Sequence, residues 1–232
     1  MDRPALPDLT DPATPPLIVA DLSLNHDGSI DRAVSMVASA AAAGADGVTL
    51  PVPGPGRYAF DQEQLTDLRE ETQDADILLV PRIDAEEGLP LLDALACPLV
   101  LTGPLADPEL YPQIAETGIP FVAAADGTEP GAFDAAIDAG AALLAHVPDE
   151  QRPQLGALTR MRRDHQRPVG LLDGSPSVVT GAVAVGAGAV FFFKRFTELR
   201  DDEGLTHQAS LDPVTFTHFC DLTRDAGRMV NH

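Results

Sequence analysis

Eight times along this chain a short, unbroken apolar run gives way to an amphipathic stretch. The runs are 17–20, 47–50, 77–80, 99–101, 120–123, 142–145, 169–172 and 189–193. Apart from Thr49 in the second, each is apolar rather than alternating, as strands buried on both faces are. The stretches between them predict helices over 30–43, 61–71, 88–95, 108–117, 131–139, 151–164, 177–185 and 212–227. Gly44 follows the first helix as a C-terminal cap, and Pro108 suits a first helical turn. Regular alternation of strand and helix demands a parallel sheet. Eight such units in 232 residues predict the α/β class and, within it, a single-domain (β/α)8 TIM barrel. An open doubly wound sheet is the weaker reading, because no G-x-G-x-x-G follows a strand. Gly186-Ala187-Gly188 precedes a strand and so opens no phosphate loop. Residues 1–16 are read as an N-terminal extension and 17–232 as the barrel.

Charge narrows the partners. The chain has 36 Asp and Glu against 15 Lys and Arg, a formal net charge of −21. Nucleic acid and anionic lipid call for the opposite sign, so neither is expected. No apolar run is long enough for a membrane span, and Met1–Pro16 lacks the pattern of a signal peptide. Cys97 and Cys220 fit no disulfide framework or zinc spacing, and are read as buried thiols in a cytoplasmic protein. All the cations are Arg except Lys194, and Asp outnumbers Glu. Such a surface suits a salt-accumulating cell, where ions screen its self-repulsion. A GC-rich genome produces the same bias without salt adaptation.

In a barrel of this type chemistry sits at the C-terminal ends of the strands. Those ends carry Asp21, Asn25, His26 and Asp27 after the first strand, and Arg82 and Asp84 after the third. Asp126 follows the fifth, His146 ends the sixth and Asp173 the seventh. Lys194 and Arg195 close the eighth, with His207 in the loop beyond. The expectation is a ring of carboxylates, imidazoles and guanidinium groups around one mouth. Strand alternation sends only one of Lys194 and Arg195 inward. Asn25-His26-Asp27-Gly28, Asp126-Gly127 and Asp173-Gly174 also read as plain turns.

Two stretches carry a family likeness. Leu17-Ile18-Val19-Ala20-Asp21-Leu22-Ser23-Leu24-Asn25-His26-Asp27-Gly28, with Ala43-Gly44-Ala45-Asp46-Gly47-Val48, is similar to I-A-E-x-G-x-N-H-x-G and A-G-A-D-x-V. Phe193-Lys194-Arg195-Phe196-Thr197 and Thr206-His207-Gln208-Ala209-Ser210-Leu211-Asp212-Pro213 resemble E-K-H-F-T and D-H-x-A-S-L-x-P. Both sets belong to the sialic acid synthase family, the phosphoenolpyruvate-dependent nonulosonate synthases. The resemblance implies a (β/α)8 barrel. It also implies metal-assisted condensation of phosphoenolpyruvate with an N-acetylated amino sugar, a carbon–carbon bond-forming, aldolase-like synthesis. The family's acid/base glutamate corresponds to Asp21, while Asn25 and His26 are kept. Its two metal-binding histidines fall at Gly174 and Arg195. Its phosphate-holding side chains fall at Thr49, Leu99, Ala124 and Ala125. No counterpart of its C-terminal antifreeze-like domain is expected.

The resulting expectation is a sialic acid synthase-like barrel of carbohydrate biosynthesis whose metal and phosphate ligands are largely lost. Asp21, His26 and His207 are the candidate catalytic groups. Asn25, Arg82, Asp173, Lys194 and Arg195 are the candidate substrate-binding groups. No cofactor is expected, unless His26, His146, His207 and a carboxylate build a relocated site for Mn or Mg. The expected partners are a small anionic ligand or sugar, and a second copy in a homodimer or a complete synthase. Two alternatives stand beside the lineage: a non-catalytic paralogue with a structural or regulatory role, and a repurposed barrel that binds a phosphorylated or carboxylated small molecule through Arg195.

Overall fold

The structure is a computed structural model and describes residues 5–148, 153–204 and 206–230. Eight parallel strands close into a barrel in sequence order: β1 Leu17–Asp21, β2 Gly47–Pro51, β3 Leu78–Arg82, β4 Val100–Thr102, β5 Phe121–Ala125, β6 Leu143–His146, β7 Val169–Asp173 and β8 Ala189–Arg195. Helices follow each strand: α1 Ile30–Ala42, α2 Gln62–Asp74, α3 Leu92–Leu95, α4 Leu110–Glu116, α5 Asp134–Asp138, α6 Gly156–His165, α7 Thr180–Gly186 and α8 Pro213–Val230. The (β/α)8 barrel expected from the alternation is thus present.

Local chemistry sets the boundaries. Ser29 caps α1 by accepting the Arg32 N–H, and Asp61 and Gln64 form a reciprocal capping box on α2. Gly44 leaves α1 with φ of +95°, a conformation that glycine adopts without a Cβ penalty. The stretch expected as one helix over 88–95 is instead a 3₁₀ turn, Glu86–Leu91, followed by the four-residue α3. Pro90 lies inside that turn, where it lacks an N–H to donate, and left-handed Ala96 ends α3. Helices α5 and α6 start later than the expected 131 and 151, and residues 151 and 152 lie outside the described residues.

Strand alternation sorts side chains into two apolar layers. Ile18, Val48, Leu50, Leu171 and Phe192 pack outward against the helices. Val19, Val80, Leu101, Val122, Leu172, Phe191 and Phe193 fill the barrel interior. The Phe191 ring occupies the space beside Gly170, where a Cβ would lie 2.3 Å from its edge. Leu6 and Leu9 join the interior cluster from below, so these residues of the N-terminal extension pack against the floor of the barrel. With the interior filled, the upper rim is where a ligand can meet the inward side chains. No helix among the described residues is long and apolar enough to cross a membrane.

Candidate functional site at the barrel mouth

A cavity of about 300 Å³ opens at the C-terminal ends of the strands. Asp21, Ser23, Arg82, Asp84, Gly103, Leu172 and Arg195 are among its lining residues. Four of the residues expected at the rim therefore meet here: Asp21 from β1, Arg82 from β3, Asp84 from the loop after it, and Arg195 from β8. Asp21 and Arg195 are direct neighbours in the parallel β1–β8 pairing. Both continue the inward series that runs through Val19 and Phe193.

Each polar group of the mouth is held. Asp21 Oδ1 accepts the Ser23 N–H at 2.9 Å, which draws the chain into a turn where Ser23 has φ of +49°. Arg82 Nε donates to Asp84 Oδ2 at 2.9 Å, and Asp84 Oδ1 accepts the Gly103 N–H at 2.7 Å. A Cβ at Gly103 would come within 2.6 Å of that carboxylate and push it from this position. Arg195 Nη1 donates to the Gly174 carbonyl at 3.3 Å. Below the rim, Thr49 pairs in register with Asp21 and Val80 and so faces inward. Its buried hydroxyl has no hydrogen-bond partner among the described residues.

The other expected residues lie elsewhere, and the single ring of sequence reasoning must be corrected. Asp173 and Lys194 have the outward parity of Leu171 and Phe192. They meet behind the barrel wall, with Lys194 Nζ 2.5 Å from Asp173 Oδ2 and 2.7 Å from the Ser175 carbonyl. Thr180 of α7 donates to the same carboxylate, and the ammonium sits 5.2 Å from the centre of the Phe219 ring of α8. Asp173 is thus paired with Lys194 and stands away from Arg195 and the mouth.

Asn25 is a buried tie. Its amide donates to the Phe196 carbonyl at 2.8 Å and to Ser210 Oγ at 2.9 Å, and its Oδ1 accepts from Thr206. His26 is buried beside Tyr58 and Phe60, with Nδ1 accepting the Gly28 N–H at 3.2 Å. Burial pushes its pKa down from 6.5 to about 4, against the pull of neighbouring Asp27. His207 is buried between Thr197 Oγ1, 2.7 Å from its Nδ1, and Asp27 Oδ2, 3.3 Å from its Nε2. Asp27 also pairs with Arg32 at 2.8 Å. These contacts fasten the loop after β8 to the start of α1. Asp21, His26 and His207 therefore do not form one catalytic cluster.

The residues named for a relocated metal site are spread apart among the described residues. His146 faces outward, its Nδ1 accepting the Gly127 N–H at 3.1 Å, with Asp126 at 3.9 Å. Burial again lowers its pKa. Among the described residues no three His, Cys, Asp or Glu side chains converge to hold a metal. Sequence reasoning passed over Ser23, Gly103, Val147 and Leu172 as parts of the mouth. Parity counted from Val19 and Phe193 was the signal that would have found Leu172.

The strands close into a (β/α)8 barrel whose polar rim lies at their C-terminal ends. The NeuB family matches residues 147–232, which include Arg195 and the loop after β8. An uncharacterized protein of Methanocaldococcus jannaschii is 23% identical over 243 residues, covering 93% of this chain and 72% of that one. The N-acetylneuraminic acid (sialic acid) synthetase of Leptospira borgpetersenii serovar Hardjo-bovis, solved in complex with citrate, superposes with a TM-score of 0.85 at 20% identity. That match covers 94% of this chain and 86% of the synthetase chain. The spore coat polysaccharide biosynthesis protein SpsE of Bacillus subtilis superposes with a TM-score of 0.81 at 19% identity, covering 94% of this chain and 70% of its own. These likenesses establish the fold.

Proposed function

We propose that this NeuB-like barrel binds a small carboxylate or phosphate anion at its mouth, and that it has left behind the metal-dependent condensation implied by the sequence resemblance. One observation carries this reading. Arg195, where the resemblance places a metal-binding imidazole, is an inward guanidinium lining the mouth cavity beside Asp21. Guanidinium binds oxyanions through paired N–H donors and does not ligate cations. Arg82 is the second such group. It uses Nε on Asp84, and its terminal nitrogens are free of that bond. The donor set of the mouth, two carboxylates interspersed with two guanidinium groups, suits an anion far better than a divalent metal.

In this reading Arg195 and Arg82 orient the anion, and Asp21 is the carboxylate placed to move a proton beside it. Whether turnover accompanies binding rests on Asp21, which is shorter by a methylene than the glutamate of the resemblance. A second reading, a non-catalytic partner with a closed mouth, draws support from the Arg82–Asp84 ion pair.

Calorimetric titration with phosphoenolpyruvate, citrate and a sugar phosphate separates the two. The anion reading expects binding, weakened about tenfold or more by Arg195→Ala as a charge-assisted contact is lost. Absence of heat at roughly millimolar ligand, in wild type and variant alike, supports the closed-mouth reading instead.

A further inference from the structure

We infer that the anion accepted at this mouth is a carboxylate bearing an apolar arm, of the class of 2-oxo acids with a branched aliphatic or aryl tail. The inference rests on the anion reading above and specifies its ligand. Its basis is the way the rim is divided. Because β1 to β8 close in sequence order, residues from neighbouring strands form continuous arcs. The arc from β8 through β1 to β3 supplies Arg195, Asp21, Ser23, Arg82 and Asp84. The unpartnered hydroxyl of Thr49 lies beneath the same arc, on β2. The opposite arc, from the loop after β4 to the end of β7, supplies Pro104, Leu105, Val147, Pro148 and Leu172. No side chain named on that arc donates or accepts a hydrogen bond.

Size and depth agree with this division. About 300 Å³ suits a small ligand rather than a long chain. On the apolar side the inward residues near the ends of β5 and β6 are Ala124 and Ala145, both with short apolar side chains. Leu105 stands at the cavity edge with 96% of its surface exposed. One exposed leucine is ordinary; one that continues an apolar wall into a cavity gains from being covered. A polyhydroxylated ligand would turn hydroxyls onto this wall and lose their hydration without side-chain partners. A carboxylate with an aliphatic or aryl arm satisfies both arcs, head on the guanidinium side and tail across the mouth.

The test compares pyruvate, 4-methyl-2-oxopentanoate, phenylpyruvate and gluconate by calorimetry on the full chain, with Arg195→Ala and Leu105→Ser as variants. The tailed acids should bind about tenfold or more tightly than pyruvate, the scale of a few methylenes in an apolar pocket, and gluconate should gain nothing over it. Arg195→Ala should weaken every acid. Leu105→Ser, an exposed position whose variant should retain the wild-type melting curve, should shrink the ratio between 4-methyl-2-oxopentanoate and pyruvate. Equal affinity for all four acids overturns the apolar arm and leaves anion binding intact. No binding of any acid overturns the anion reading and the inference with it. An unchanged affinity ratio in Leu105→Ser also counts against the arm.

Discussion

Lys194 Nζ lies 2.5 Å from Asp173 Oδ2, with both side chains closed off from solvent behind the barrel wall. The turn they hold, Asp173 to Ser175, contains the Gly174 carbonyl that accepts from Arg195. One turn is thus gripped from outside by an ammonium and from inside by a guanidinium. Taking one partner of a buried pair away strands the other charge in a poorly solvated place. Lys194→Met should cost about 3–5 kcal/mol, read from urea unfolding. Adding Asp173→Asn to that variant removes the stranded charge and should recover part of the loss. A cost below about 1 kcal/mol for Lys194→Met would contradict this account.

Gly170 supports the same side of the barrel by having no side chain. Its added Cβ would meet two Phe191 ring carbons at 2.3 Å and the Phe191 carbonyl at 2.4 Å. Phe191 is buried and cannot swing into solvent. Gly170→Ala should therefore destabilise by about 3 kcal/mol or fail to give folded protein, whereas Gly186→Ala, which meets nothing within 4 Å, should leave the melting temperature nearly unchanged. Similar melting curves for the two variants would refute the clash.

The buried imidazole of His26 sets a pH dependence with a definite sign. Its pKa is about 4 in the folded chain against 6.5 in water. Between those values the unfolded chain takes up a proton that the folded chain refuses. The contribution to stability is therefore fully present above pH 6.5 and is lost as pH falls through about 4. His146 shifts in the same direction for the same reason. His26→Phe should flatten part of the fall in unfolding free energy across that window, with His146 accounting for a remainder. Equal slopes in wild type and variant would place the His26 pKa near its ordinary value.

The net charge of −21 supplies a prediction about salt. Ions screen repulsion among exposed carboxylates. If the acidity is salt adaptation, the melting midpoint should rise steadily from low to molar KCl. A flat or falling midpoint would assign the composition to the genome.

Much of the fold was legible because its strands are continuous apolar runs and its helices end on residues such as Gly44. Alternation also required Lys194 and Arg195 to face opposite ways, and the structure turns Arg195 inward. The site was less legible because the ring of candidates ignored parity elsewhere. Asp173 follows inward Leu172 and so had to point outward, where it meets Lys194. His26 and His207 eluded sequence reasoning for another reason. Their loops leave the strands through turns, Ser23 and Asp27 both taking positive φ, and long-range contacts with Phe60 and Thr197 decide where the rings go. The short α3 was hidden because the apolar spacing of 88–95 suits a helix while Pro90 does not.

Phe193, Lys194 and Arg195 follow one another on β8, yet the first fills the interior, the second stands behind the wall and the third looks into the mouth. An insertion or deletion of one residue within this strand would exchange ammonium for guanidinium at the pore and drive an aromatic ring out among the helices. Over evolutionary time the chemistry of this entrance is therefore open to revision by point replacement at 195 and closed to revision by change of strand length.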